Sequence, residues 1–249
     1  MPILTSEFND LVKNAKVKWR EGYESVPEAA KKIYDVYNTS EKTSEHSQID
    51  GPGFAKRKKE GDRYKVGSPI QGYTLNLSQT RIGLTEAITW EMRKYDKYRE
   101  IDKKMRMLGE STAKRMELDL THQLTFGVGA TSYTNLDGET ISCASADAQQ
   151  IIDTDHPITG NSNTFSNKIT DSFSRAGLEA AEDKFTQMFD NNGVKVTVQP
   201  DTIITGDDPT VCNAVTEFIA SQGAPDTANR ADNVYKGRYE HLKLPYLAT

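Results

Sequence analysis

Two cysteines, Cys143 and Cys212, are all that 249 residues hold, too few for a disulfide framework or for a zinc site built from three or four thiolates, and ordinary for a reducing compartment. Nowhere do 18 uncharged apolar residues follow one another, and the opening MPILTSEFND has neither a basic nor an apolar stretch. Neither a membrane span nor a secretory signal is expected. Aromatic residues make up 8% and apolar residues 36%, about 43% with the 17 glycines, and mean hydropathy is -0.67. That is slightly less than globular chains usually carry and suits a subunit that leans on neighbours. Walker A and dinucleotide-type glycine loops are missing, as is a Gly-x-Ser-x-Gly elbow, which removes the common phosphate-cradling and nucleophilic designs. A basic excess is also missing: net charge is -5 and the isoelectric point about 5.5, against a nucleic-acid binder, whose affinity rests on phosphate contacts.

The charge that is present is polarised. Residues 1–120 hold 23 Lys and Arg against 19 Asp and Glu, whereas 121–249 hold 8 against 17, so one half is charge-dense and nearly balanced and the other acidic.

Residues 1–53 read as an arm. Phe8, Leu11, Val12, Ala15 and Trp19 form a narrow apolar stripe at helical spacing, opposite Asn9, Lys13, Lys16 and Arg20, and a second short helix is expected from Pro27, offering Ala30, Ile33, Tyr34 and Tyr37. Residues 38–53, with Gly51-Pro52-Gly53, read as a solvated linker. Helices this short need a surface to dock on, either the rest of this chain or another copy. Residues 54–84 read as a long hairpin in which Tyr64 and Val66 precede a tip and Tyr73, Leu75 and Leu77 alternate with polar residues after it. Both Gly67-Ser68-Pro69 and Gly61-Asp62 fit the tip. Lys56, Arg57, Lys58 and Lys59 on the outgoing limb are read as a solvated face that discourages edge pairing.

A long helix is predicted over 97–126, from Tyr98, Ile101, Met105, Leu108, Thr112, Met116, Leu120 and Leu124, with only Gly109 weakening it. Its spacing drifts from 3.5 toward 4, unlike a coiled coil. Beyond Gly127 and Gly129 come short strand-like pieces at 139–142 and 150–152, with a turn at Asn135-Leu136-Asp137-Gly138. An α/β lobe follows: a helix over 174–190 carrying Leu178, Ala181, Phe185, Met188 and Phe189, strands at 194–198 and 202–205, a helix opened by Asp208-Pro209 with Val211, Ala214, Val215, Phe218 and Ile219, and a terminal alternation of Leu242, Leu244 and Tyr246.

Chemistry is sparse. Asp153-Thr154-Asp155-His156 puts two carboxylates and an imidazole within four residues, but a catalytic metal needs further ligands, and His46, His122 and His241 stand among non-ligands. A turn with Asx-type hydrogen bonds is the reading adopted; a metal-dependent hydrolase using Asp153, Asp155 and His156 is an alternative. Cys143 lies in a Ser/Ala run and Cys212 on the apolar face of a helix, with no cofactor or catalytic residue assigned to either.

An arm, an extended hairpin, a long helix, a β-rich region and an α/β lobe, in that order, resemble the HK97-fold major capsid proteins of tailed phages, most closely the Mu-like major head subunits. Leu136-Asp137-Gly138-Glu139-Thr140-Ile141, Asp155-His156-Pro157, Ser162-Asn163 and the run Asn233-Val234-Tyr235-Lys236-Gly237-Arg238-Tyr239-Glu240 are similar to motifs of that group. The resemblance implies an α+β HK97-like capsid fold: N-terminal arm 1–53, extended β-hairpin (E-loop) 54–84, peripheral domain 85–169 with its spine helix, and axial lobe 170–249, the last with further strands in relatives than the sequence up to Thr249 supplies. It implies hexamers and pentamers of an icosahedral or prolate shell enclosing phage double-stranded DNA without sequence-specific binding, in a virion assembled in the host cytoplasm. Implied partners are a portal protein and a separate scaffold or decoration protein. Subunit contacts are expected at Phe8, Leu11 and Trp19 of the arm and at Tyr64, Lys65, Tyr73, Leu75 and Leu77 of the hairpin. A Lys–Asn crosslink, which some relatives form, has no recognisable acidic catalyst beside Lys56 to Lys59 or Lys65. The alternatives are an encapsulin-like nanocompartment shell and a nucleic-acid binder using Lys56 to Lys59.

Overall fold

The computed structural model describes residues 5–95, 98–159, 163–223 and 232–247. The chain divides into two compact units, Met1–Asn38 with Gln79–Thr121 and Thr39–Ser78 with His122–Thr249.

In the first unit, helix α1 (Thr5–Glu24) and a 3-10 turn (Ala30–Lys32) accompany α3 (Tyr98–Gly127), which is preceded by the short α2 (Trp90–Lys94). At 1.5 Å per residue the 30-residue α3 is about 45 Å long. The helix expected from Pro27 is reduced to the 3-10 turn. Its residues are positioned by single bonds instead: Glu117 accepts the Ala30 amide at 2.7 Å, and Tyr34 donates to the Leu120 carbonyl at 2.9 Å. The arm thus docks on its own chain.

The buried positions of α3 in this unit are Ile101, Met105, Gly109, Ala113, Glu117 and Thr121, every fourth residue. Such a row advances about 40° round a helix of 3.6 residues per turn at each step, so its cover winds about the rod. Leu108, Thr112, Met116, Leu120 and Leu124 of the expected stripe are only half-buried. Backbone proximity explains the offset. A Cβ on Gly109 would lie 2.1 Å from the Trp19 carbonyl oxygen, and one on Gly22 would lie 2.1 Å from that of Arg106. The two helices meet backbone to backbone at a pair of glycines, which only a residue without Cβ permits.

In the second unit, β1 (Thr43–Ile49) and β2 (Gln71–Ser78) form an antiparallel ribbon, with a register shift between Ser47 and Ile49. Residues 38–53 therefore supply the ribbon's first strand and are not a linker. Tyr64 and Val66 belong to no ladder and are 83% and 93% exposed. Gly67 lies against Pro52 at the ribbon's neck, and the turn instead forms at Gly61, with the Asp62 amide donating to Lys59 at 3.2 Å. Three small pairings follow α3: β3 (Ser132–Thr134) with β4 (Thr140–Ser142), and β5 (His156–Pro157) with β6 (Thr164–Phe165), both antiparallel; then, farther on, β7 (Thr202–Thr205) with β8 (Glu240–Lys243), parallel. The strand-like piece expected at 150–152 is not a strand: residues 151 and 152 form bends tied to the end of α3, where the Ile151 amide donates to Gly127 at 2.8 Å.

Helix α4 (Arg175–Thr186), capped by Ser174, ends short of the expected 190. Residues 194–198 are not a strand, because Lys195 makes only a single bridge to Phe189. Helix α5 (Pro209–Ala220) starts as expected, with Asp208 capping the Thr210 amide and proline in the first turn, where its missing N–H costs nothing. It crosses from β7 to β8, burying Cys212, Val215 and Phe218. Phe218, Tyr235 and Tyr239 form the lobe's aromatic core, with Leu178, Ile203 and Ile219 packed against it. Ser162 of the sequence motifs lies outside the described residues. Among the described residues no helix is long and apolar enough to cross a membrane.

Candidate functional site

The ribbon is anchored at its base and open beyond it. Asp50 accepts the Asn191 amide at 2.9 Å, the Asn192 side-chain amide donates to the Gly51 carbonyl at 2.6 Å, and Tyr73 donates to the Pro157 carbonyl at 3.1 Å. Three bonds, two to the loop at Asn191-Asn192 and one to strand β5, fix the direction in which the strands leave. Two strands alone have no core of their own, and most side chains of β1 are exposed. Past the neck, the loop carries Phe54, Lys56, Arg57, Lys58, Lys59, Tyr64 and Lys65, all exposed, with the Lys58 ammonium 4.2 Å from the centre of the Tyr64 ring. This is an exposed apolar and cationic surface, the kind that lies against another surface.

The expected contact residues separate into two groups. Tyr73 and Leu75 are half-buried on β2, and Leu77 on the same strand is exposed; Tyr64 and Lys65 sit on the open loop. Leu11 and Trp19 lie on α1 in the other unit, where Trp19 stacks on Tyr23 at 5.3 Å between ring centres. Phe8 is on the same helix, its side chain outside those described.

The carboxylate–imidazole cluster is a structural node. His156 Nδ1 lies 2.7 Å from Asp147 Oδ2 and Nε2 lies 3.2 Å from Asn167 Oδ1, so both ring nitrogens face protein oxygens and neither is open to a metal. Asn167 also takes the Asp153 amide at 2.8 Å and donates to the Ile151 carbonyl at 2.8 Å, tying the loop ends together. Burial pushes the Asp147 carboxyl up, but hydrogen bonds from Ser145, His156 and the Gln149 amide outweigh it and hold the pKa below the ordinary carboxylate value. Ala148, next to it, is held in the left-handed region at φ 64°, a conformation unfavourable for a residue with a Cβ. Asp153 accepts the amide of the adjacent Thr154 at 2.6 Å, one residue on and not the two that the expected Asx turn requires. Among the described residues no group of three or more His, Cys, Asp or Glu could hold a metal ion.

Both thiols are buried. Cys143 is buried beside the Ala130 carbonyl, and burial pushes its pKa up; Cys212 is buried and donates to the Gly206 carbonyl at 3.1 Å. His241, 2.8 Å from the Thr205 hydroxyl, has its pKa lowered by burial and by Lys243. It completes the packing of α5 on the parallel pair.

Two features escaped the pattern of the sequence. β1, TSEHSQI, has no apolar alternation to mark it, and α2 is signalled only by Thr89, whose hydroxyl caps the Met92 amide at 3.3 Å.

No family model matches this sequence, and no curated protein matches it either. Two solved structures share its fold. A chain of the procapsid of bacteriophage JBD30 superposes with a TM-score of 0.65 at 15% identity, over 98% of this chain and 100% of that one. A chain of the JBD30 capsid decorated with minor capsid protein trimers superposes with a TM-score of 0.62 at 13% identity, over 90% of this chain and 92% of that one. The chain has the mixed helix and small-sheet fold of these phage capsid chains along nearly its whole length.

Proposed function

We propose that this chain is a structural major capsid protein, a non-enzymatic subunit that assembles with many copies of itself into the shell of a phage head. The observation that carries this reading is the likeness to capsid and procapsid chains of one phage across at least 90% of the sequence. The exposed ribbon supports it, because a two-stranded projection with open apolar and cationic side chains finds its cover on a neighbour.

In the finer reading the architecture is HK97-like and of the Mu-like head type, with hexamers and pentamers that close by rotation around double-stranded DNA. The ribbon, through Tyr64, Lys65, Tyr73, Leu75 and Leu77, overlaps an adjacent copy. The arm's Phe8 and Leu11 contribute less, and Trp19 least, since its own chain occupies it. A portal protein and separate scaffold or decoration proteins complete the head, which is built in the host cytoplasm. The acidic second half suits a lining that holds DNA without gripping phosphate.

Electron microscopy of the purified full chain tests the reading. Closed particles tens of nanometres across are expected, and deleting residues 55–65, outside the anchored neck, should leave a folded chain that no longer closes shells. Shells of normal appearance from the deletion would remove the ribbon from the assembly.

A further inference from the structure

We infer that the aromatic strap ahead of α3, centred on Trp90 and Lys94, is a socket for the β3–β4 turn of a second copy of this chain. The inference draws on the proposed function only for the premise that copies meet.

The strap is built to be covered. Trp90 and Tyr95 are 60% and 65% exposed, and Ile82 and Leu84 are exposed just before them. The Lys94 ammonium sits 4.5 Å from the Trp90 ring centre and 5.7 Å from that of Tyr95, a cation steadied by two aromatic faces. Exposed tryptophan and tyrosine beside a fixed positive charge make the kind of surface that dominates protein–protein affinity. Its complement is an apolar side chain with carboxylates beside it.

Charge points to where that complement lies. Residues 81–106 carry eight Lys and Arg against five Asp and Glu, whereas 116–167 contain no Lys or Arg in 52 residues and seven carboxylates. Like stretches repel and unlike ones attract, so where two copies meet the basic stretch of one faces the acidic stretch of the other.

Within the cation-free stretch, the β3–β4 turn projects the matching group. Leu136 is 74% exposed, and the exposed carboxylates Asp137 and Glu139 follow it in the same turn. The turn is rigid before binding: Asn135 Oδ1 accepts the Asp137 amide at 3.0 Å and the Glu139 amide at 2.9 Å, and Gly138 takes φ 80°, which glycine adopts freely. A preorganised apolar knob loses little entropy on docking.

The test mixes two full-length variants, Trp90→Cys and Leu136→Cys, under mild oxidation, with electrophoresis in the absence of reductant; the native Cys143 and Cys212 are buried. A disulfide-linked pair at twice 27.8 kDa should form in the mixture roughly tenfold more than in either variant alone. As a second measure, Lys94→Glu alone should weaken association roughly tenfold, and adding Asp137→Lys to the same chain should restore it. No excess in the mixture, equal linkage within one variant, or a further loss in the charge-reversed double variant would overturn the inference. Closed shells without the linked pair would leave the shell function standing and remove this contact; the linked pair without shells would do the reverse.

Discussion

The two units of the chain solve the packing problem by opposite means. Along α3 in the first unit, the closest approach is between backbones, at Gly22 and Gly109, and the buried row continues through Ala113, Glu117 and Thr121. In the lobe of the second unit, the space is filled by rings: Phe218 and Tyr235 lie 5.4 Å apart between centres, and Phe173 meets Phe218 edge-on at 5.5 Å. One core depends on the absence of side-chain volume and the other on its presence, so adding volume should damage the first and removing it the second.

The sharpest contrast comes from volume. Phe218→Ala should cost about 3–5 kcal/mol in urea unfolding, the usual loss for emptying a ring-filled core. Gly109→Ala adds a single methyl group, yet it should cost about 3 kcal/mol, at the upper end of overpacking, because the obstacle is the Trp19 carbonyl and not a side chain that can swing away. Gly129→Ala, with nothing within 4 Å of the new Cβ, serves as the neutral control. If Gly109→Ala unfolds like the control, the backbone-contact account of the first unit fails.

Polar groups sharpen the comparison at smaller cost. Glu117→Ala should lose about 2 kcal/mol, since it leaves the Ala30 amide buried without an acceptor; a loss below about 0.5 kcal/mol would show the arm to be held by other contacts. Asp147→Asn tests the second unit through pH. The folded carboxyl titrates below its unfolded counterpart, so its contribution is full above the ordinary carboxylate range near about 4 and disappears as pH falls through the folded value. Wild type should exceed the variant by about 1.5 kcal/mol at neutral pH, with the gap closing in acid. A gap that does not narrow in acid would detach Asp147 from the His156 node.

These contrasts also explain what the sequence could and could not disclose. Where burial selects apolar volume, periodicity reads it directly: α5 lies where Asp208-Pro209 and the Val215 to Ile219 spacing put it, and the extent of α3 is right to within a residue at each end. Where burial selects smallness, periodicity misleads, so the stripe on α3 slips by one residue after Met105 and Gly109 looks like a defect when it is the contact. Where neither face is buried there is no alternation to see, which is why β1 passes for linker. Alternation without a neighbouring ladder is not enough either, as residues 194–198 demonstrate. Of the residues expected at subunit contacts, Tyr64, Lys65 and Leu77 stand exposed, whereas Trp19 is stacked on Tyr23 of its own chain. Trp90 carries no pattern and Leu136 reads only as part of a turn and a motif, because an exposed aromatic and a turn leucine become informative as contacts only when their surroundings are known.

The most direct measurement of the central claim is sedimentation velocity on the purified full chain over a range of concentrations. The account predicts that the 27.8 kDa chain gives way to large, uniform particles containing many copies as concentration rises. A single species of monomer mass at every concentration would contradict it.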